Sequence, residues 1–92
     1  MIRSFACKDT EKLFGGRPCK RWTGIRAVVE RKLQLLDSAA SLDALRSPPG
    51  NRLESLHGDR VGQYSIRVNK QWRICFVWSE SGVFDVEITD YH

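Results

Sequence analysis

The sequence lacks an apolar run that approaches the roughly 20 residues needed for a membrane-spanning helix. Residues 1–6 do not show the pattern of a signal peptide. We therefore expect a cytoplasmic protein that does not contact a membrane. Its three cysteines, at positions 7, 19 and 75, are odd in number and far apart, which argues against a disulfide framework and a CxxC metal site. All three are expected to be reduced thiols.

Histidines are also scarce, and the common motifs of metal, nucleotide and serine-hydrolase chemistry are missing. The sequence contains no glycine-rich phosphate loop, no HExxH and no GxSxG. Its two histidines, His57 and His92, do not make a convincing metal site. The sequence therefore predicts a protein that uses no metal ion and no cofactor.

Length, composition and charge fit a small globular protein. Ninety-two residues make a single domain, residues 1–92, with a small core. A hydrophobic fraction of 41% and a charged fraction of 28% argue against disorder. The net charge of +4 favours an acidic partner, most simply nucleic acid. The alternative is a basic surface that is only solvated.

The last third of the chain shows the periodicity of β-strands. In residues 63–68, 72–78 and 84–89, apolar side chains occupy the even positions. A period of two indicates strands with one buried face. Turn-forming residues at 69–71 and 79–82 separate the three segments, which predicts two consecutive hairpins.

The turn lengths allow the register of both hairpins to be predicted. In the first hairpin the apolar side chains share one face, and Arg67 lies opposite Arg73 on the other face. Two like charges directly opposite each other are destabilising, so we expect this pair to hold an anion. In the second hairpin Arg73 falls opposite Thr89, with Tyr91 on the same face. The predicted apolar pairs are Val68 with Trp72, Ile66 with Ile74, Tyr64 with Phe76, and Trp78 with Phe84.

The first half of the chain is typical of helices with short connections. Residues 2–6 are expected to form a strand, and residues 8–14 a short helix that ends at two glycines. Residues 22–40 are expected to form the long helix, because their apolar residues make one stripe. Residues 52–56 are a candidate edge strand. The stripe consists of Trp22, Ile25, Val29, Leu33, Leu36 and Ala40.

Together these elements predict an α+β fold. Its N-terminal strand and helices pack on a twisted, mostly antiparallel sheet that is formed by the C-terminal half of the chain. The polar face of that sheet is the expected place for function.

Charged and aromatic residues gather at the predicted strand ends and favour phosphodiester chemistry. Cleaving RNA needs no external nucleophile, because the 2′-OH can attack the adjacent phosphorus. The arginine fork matches the geometry of a phosphate, and a histidine with a pKa near neutrality suits proton transfer. The candidate residues are Arg67, Arg73, Asp90, Tyr91, His92 and His57.

Each of these residues also has a plain structural interpretation. Arg73 could pair with Glu87 or Asp85 across the sheet and contribute little. Tyr91 could be a packed aromatic side chain, and a terminal histidine such as His92 is often only a frayed end. From composition alone these interpretations are favoured over nuclease activity.

Four short motifs occur together in a known toxin family. Gly-Asp-Arg at 58–60 precedes Tyr-Ser-Ile-Arg-Val at 64–68, and Asn-x-x-Trp-Arg-Ile follows at 69–74. The sequence ends in Asp-Tyr-His at 90–92. In this combination the chain resembles the HigB branch of the RelE/ParE toxins, and the resemblance covers essentially all of its length. Further similar stretches occur at residues 1–5, 30–33 and 53–56.

The resemblance implies a RelE-like fold and a toxin of a bacterial toxin–antitoxin module. HigB-like toxins cut mRNA in the ribosomal A site, without a metal ion. Their antitoxin is a helix-turn-helix, HigA-like protein that is usually encoded just downstream, and the complex represses its own operon. The implied partners are therefore this antitoxin, the ribosome and mRNA, and operator DNA indirectly through the antitoxin.

The resemblance also implies roles for single residues. Arg73 would stabilise the phosphate, and Asp90, Tyr91 and His92 would form a catalytic tail in which His92 transfers a proton. His57 is a further catalytic candidate, since relatives often carry a lysine just before the Gly-Asp-Arg motif.

Two departures from the family pattern leave the general base open. His57 could serve as base or as phosphate ligand, and Glu54 stands near a position where a relative can have histidine. The basic residues expected to bind RNA are Arg67, Arg60, Lys70, Arg17, Lys20 and Arg21.

Two other functions compete with the nuclease. A ParE-like inhibitor would bind DNA gyrase and cut nothing, but pure binding does not require Arg73 or the Asp-Tyr-His end. A non-catalytic RNA-binding protein is disfavoured because most of the aromatic residues fall on the apolar face, which leaves no exposed stacking series.

Overall fold

The computed structural model of the chain describes residues 1–90, and its architecture is the predicted α+β class. A four-stranded antiparallel sheet has the order β1-β2-β3-β4, and all four strands lie in the second half of the chain. The strands are β1 (Glu54–Ser55), β2 (Tyr64–Arg67), β3 (Trp72–Ser79) and β4 (Gly82–Asp90). The fold class predicted from the sequence is confirmed.

Strands β2 and β3 pair in the predicted register. Ile66 faces Ile74, and both are fully buried on the side of the helices. Arg67 faces Arg73, so the two arginines lie side by side on the opposite face of the sheet. The first hairpin is therefore confirmed, including its pair of like charges.

The second hairpin contains a β-bulge that the sequence did not reveal. Arg73 lies opposite Thr89 as predicted, but Trp78 faces Val83 and not Phe84. The register shifts by one residue at Asp85, whose φ of +55° lies in the left-handed region. The predicted pairing of Trp78 with Phe84 is wrong, because the bulge brings Val83 to the core face ahead of the alternating segment.

The predicted N-terminal strand takes the form of two isolated parallel bridges to β4. Ile2 bridges Val83, and Phe5 bridges Val86. The backbone N–H of Ile2 donates to Oδ1 of Asp37 at 2.7 Å, which ties the start of the chain to the long helix. The segment thus lies along β4 without a continuous ladder.

The predicted long helix is divided into two parts. A 3₁₀ helix, Lys20–Ile25, comes before the α-helix α2 (Arg26–Ser38). Trp22 has non-helical backbone angles, with φ −124° and ψ 23°, and its side chain is buried edge-on against Trp72. The prediction of one helix from residue 22 is wrong, because Trp22 enters the core from a kink ahead of the helix.

The helices and the sheet enclose one hydrophobic core. The short helix α1 (Lys8–Phe14) has the predicted bounds and ends at Gly15. Within residues 1–90 the structure contains no helix long and apolar enough to span a bilayer. The core consists of Leu13, Trp22, Val29, Leu33, Leu36, Leu45, Ile66, Ile74, Phe76, Val83, Val86 and Ile88.

Candidate active site

A cleft of about 360 Å³ opens on the face of the sheet that points away from the helices. Polar residues alternate there with the core residues of β2, β3 and β4, so that Ser65, Arg73 and Thr89 share this face. The residues that line the cleft are Glu54, Ser55, Leu56, His57, Arg60, Ser65, Cys75, Thr89 and Asp90.

Arg73 is buried next to this cleft, in contact with its lining residues Ser65 and Glu54, and 3% of its surface is exposed. Its Nε donates to Oγ of Ser65 at 2.7 Å, and its Nη2 donates to the carbonyl oxygens of Arg52 at 2.6 Å and Ser65 at 3.3 Å. Oε1 of Glu54 lies 3.4 Å from the same Nη2. The hydroxyl of Ser65 and the two backbone carbonyls therefore fix the guanidinium plane, and the Glu54 carboxylate lies beside it.

The loop before β1 presents the carbonyl that Arg73 contacts. Asn51 in this loop is fully buried, and its Nδ2 donates to two loop carbonyls at 3.1 and 3.2 Å. Nζ of Lys32 on α2 donates to Oδ1 of Asn51, and burial lowers the pKa of Lys32. Arg52 then adopts a left-handed φ of +44°. The position of Arg73 thus depends on a loop that is fastened to α2.

A second arginine, Arg60, lines the cleft and forms an ion pair with a nearby carboxylate. Nη1 of Arg60 donates to Oε1 of Glu87 at 2.7 Å, and this hydrogen bond raises the pKa of Arg60. Asp85 is exposed at the bulge. The suggestion that Arg73 pairs with Glu87 or Asp85 is therefore not what the structure shows, since the carboxylate at 3.4 Å from Arg73 is that of Glu54.

His57 and Asp90 lie at the rim of the same cleft, and both are exposed. The structure thus places His57 and Asp90 at one cleft, and Arg73 contacts two other residues that line it, Ser65 and Glu54. Tyr91 and His92 lie outside the described residues, and their catalytic roles stay predictions.

Three of the six predicted RNA-binding cations lie on or next to the sheet that carries the cleft. Arg60 lines it, and Arg67 is half-buried beside Arg73, with its Nε donating to the carbonyl of Asn69 at 3.1 Å. Lys70 is exposed in the turn that follows β2. Of these three residues, Arg60 lines the cleft, whereas Arg67 and Lys70 lie at the other end of β2.

The other half lies on the connector between α1 and α2. The guanidinium of Arg21 stacks over the rings of Trp22 and Trp72, at 4.7 and 6.0 Å from their centroids. Both tryptophans belong to the helical side of the sheet, so Arg21 lies on that side too. Neither Arg21 nor its exposed neighbours Arg17 and Lys20 line the cleft.

Sequence reasoning missed five residues that line the cleft, namely Ser55, Leu56, Ser65, Cys75 and Thr89. Ser65, Cys75 and Thr89 lie on the same face as Arg73, and the alternation that located Arg73 could have found all three. The carbonyl of Arg52 had no such signal, since every residue has a backbone carbonyl.

Cysteines and acidic residues do not assemble into a ligand cluster in the part of the chain that the structure describes. Cys7 and Cys19 are half-buried, Cys75 is buried, and all three are free thiols. Among residues 1–90, no group of three His, Cys, Asp or Glu side chains is arranged to hold a metal ion.

Comparison with known sequences identifies the family. Residues 4–92 match the model of the HigB-like toxins, described as the RelE-like toxin of the type II toxin–antitoxin system HigB. Endoribonuclease HigB of Proteus vulgaris is 32% identical over 97 aligned positions that cover all of both chains. Toxin HigB-1 of Vibrio cholerae is 50% identical over 56 residues, which cover 61% of this chain and 59% of that protein.

Solved structures support the fold. The YoeB–YefM complex from Staphylococcus aureus matches with a TM-score of 0.61 at 17% identity, over 100% of this chain and 95% of the other. The YoeB dimer from the same organism matches with a TM-score of 0.59 at 18% identity, over 99% and 94% of the two chains. Because the family model spans nearly the whole sequence, the chain belongs to the HigB-like toxins, which are RelE-like toxins of type II toxin–antitoxin systems.

Proposed function

We propose that this toxin is a ribosome-dependent endoribonuclease that cuts mRNA in the cleft at Arg73 without a metal ion. Its class, a toxin with endoribonuclease activity, follows from the family and from its end-to-end similarity to Endoribonuclease HigB. The proposal concerns where and how the toxin cuts.

The observation that supports the site most directly is the buried, fixed guanidinium of Arg73. In the proposed reaction the 2′-oxygen of the RNA bonds to the adjacent phosphorus, and the bond from phosphorus to the 5′-oxygen breaks. Charge grows on the non-bridging oxygens as this happens. A donor that is already oriented stabilises that charge without reorganising, which is usually the largest single contribution to catalysis. Because Arg73 supplies the positive charge, the proposed reaction needs no metal ion.

Two proton transfers complete the proposed reaction. A base takes the proton of the 2′-OH, and His57 and Glu54 are the candidates in the cleft. An acid gives a proton to the departing 5′-oxygen, and His92 is the proposed donor, supported by Asp90 and Tyr91. The products are a 2′,3′-cyclic phosphate and a 5′-OH.

The ribosome is expected to supply what the small cleft does not. In-line attack requires the RNA backbone to be held in one conformation, and holding it costs entropy. The cleft is small, about 360 Å³, so we infer that the ribosome holds the mRNA in place. The proposed contacts to RNA are Arg67, Arg60, Lys70, Arg17, Lys20 and Arg21.

An antitoxin is the partner that membership of this family implies. We propose that it is a helix-turn-helix, HigA-like protein through which the complex contacts operator DNA. The cytoplasm, where ribosomes translate mRNA, is the proposed location of the toxin.

Dependence on the ribosome can be tested directly. Purified toxin should cut an mRNA on programmed ribosomes and leave the same mRNA intact in their absence, because only the ribosome orders the RNA. The positions of new 5′ ends would be mapped in both reactions. Equal cutting of naked RNA would contradict ribosome dependence. If neither reaction showed cutting and the protein instead inhibited DNA gyrase, the ParE-like alternative would be correct.

The chemistry of the cut ends tests the metal-independent mechanism. Cleavage should continue in a chelator of transition metals, with sedimentation used to verify that the ribosomes stay intact. The upstream product should end in a 2′,3′-cyclic phosphate and the downstream product in a 5′-OH. A 5′-phosphate on the downstream product would exclude attack by the 2′-OH.

A further inference from the structure

Glu54 differs in kind from the other described contacts of Arg73. The acceptors from Ser65 and Arg52 are neutral, and two of them are backbone carbonyl oxygens, which cannot turn away from Arg73 as a side chain can. Glu54 carries a negative charge and its side chain is 46% exposed, whereas the Arg73 side chain is 4% exposed. The buried guanidinium thus has beside it an exposed carboxylate, on a residue that lines the cleft.

The contact between the two charges is loose. Oε1 of Glu54 lies 3.4 Å from Nη2 of Arg73, beyond the roughly 2.7–2.9 Å of a charge-assisted hydrogen bond. Glu54 belongs to a strand of two residues at the edge of the sheet, which pairs with β2 only. Little in the described structure holds this side chain in place, so another anion can displace it.

A phosphate that binds Arg73 would come close to the Glu54 carboxylate. Two anions cannot share one arginine without repulsion, and the low exposure of Arg73 reduces the screening of that repulsion by water. This repulsion favours turning the carboxylate away into solvent when the phosphate enters. Its side chain is exposed enough to do so.

We propose that Glu54 is a counter-ion of Arg73 in the free toxin, that the phosphate of the substrate replaces it, and that Glu54 thereby limits how tightly the cleft binds anions. That this phosphate belongs to RNA rests on the proposed function. The exchange of the carboxylate for another anion at Arg73 does not depend on the proposed function.

Replacing Glu54 with glutamine removes the competing charge while keeping the size of the side chain. Inorganic phosphate, titrated into purified toxin and followed by NMR, should bind about 3- to 10-fold more tightly to Glu54→Gln than to the wild type. On programmed ribosomes, the toxin concentration for half-maximal cleavage should fall by a similar factor.

Glu30→Gln is the matched control. Nε of Arg26 lies 3.3 Å from Oε1 of Glu30, and these side chains are 38% and 39% exposed, on α2 and away from the cleft. This variant makes the same change in net charge. Equal tightening of phosphate binding in both variants would mean a general charge effect and would overturn the proposal.

Two other outcomes would also overturn it. Unchanged phosphate affinity in Glu54→Gln would show that the carboxylate does not compete. Unchanged affinity with a maximal rate lowered about 10²–10⁴-fold would identify Glu54 as the general base instead. If Glu54→Gln binds phosphate more tightly but no form of the toxin cleaves RNA, the proposed function fails and the exchange stands.

Discussion

Replacing Arg73 with alanine is expected to slow cleavage about 10³-fold, the scale seen when one preorganised donor to a developing oxyanion is removed. The cause is the loss of the charge that faces the scissile phosphate. Single-turnover cleavage of mRNA on programmed ribosomes would measure it. An alanine variant that cuts at the wild-type rate would leave Arg73 with a purely structural role.

Stability has to be measured together with the rate. Arg73 is buried and donates to Ser65 and Arg52, so alanine strands these acceptors, at a cost of about 1–3 kcal/mol for each buried group. Rates should be compared at equal folded fraction, taken from denaturant unfolding. Arg73→Lys is the matched variant, because it keeps the charge and loses the fork. We expect it to lie between alanine and wild type in rate.

The second large effect is expected at His92. Replacing it with glutamine should leave the protein folded and bound to ribosomes but slow cleavage about 10²–10⁴-fold, the usual contribution of one acid–base group. The rate of the wild type should change with pH near 6.5, where an imidazole ordinarily titrates. That dependence should flatten in His92→Gln. Rates measured between pH 5.5 and 8, roughly spanning this titration, would show it.

His57→Gln is the control for the histidine assignment. His57 lines the cleft and is exposed, so its replacement should not disturb the fold. If His57 is the proton donor, this variant will lose the pH dependence and His92→Gln will keep it. If both variants retain the wild-type rate and pH profile, histidine acid–base catalysis is wrong for this toxin.

The alternating pattern was enough to predict the antiparallel sheet, but it failed to predict the bulge at one residue, Asp85. A period of two identified the paired faces of β2 and β3, because each face has one physical environment. It did not reveal the bulge at Asp85, since Val83 and Phe84 are both apolar and either could face the core. The helical stripe likewise located Trp22 in the core but could not show the kink ahead of Arg26.

The candidate site was predictable only in part, for a similar reason. Arg73 stood out because a like-charged pair on one face is unfavourable without a function. The burial of Arg73 depends on the position of the loop around Asn51, whose residue Arg52 accepts a hydrogen bond from it. This loop has no periodic sequence pattern, so its position could not be predicted. The sequence indicates Glu54 as a candidate base, but its contact with Arg73 depends on how β1 is placed in the fold.

The N-terminal bridges have a consequence for self-association of the toxin. An open sheet edge presents unpaired N–H and C=O groups, which are a template for another chain. Ile2 and Phe5 cover the outer edge of β4, and the N–H of Asp85 at its bulge donates to Oγ of Ser4 at 2.9 Å. The opposite edge is only two residues long. Removing residues 1–5 would uncover the long edge, so such a truncation should make the protein aggregate through strand pairing while the cleft residues remain intact.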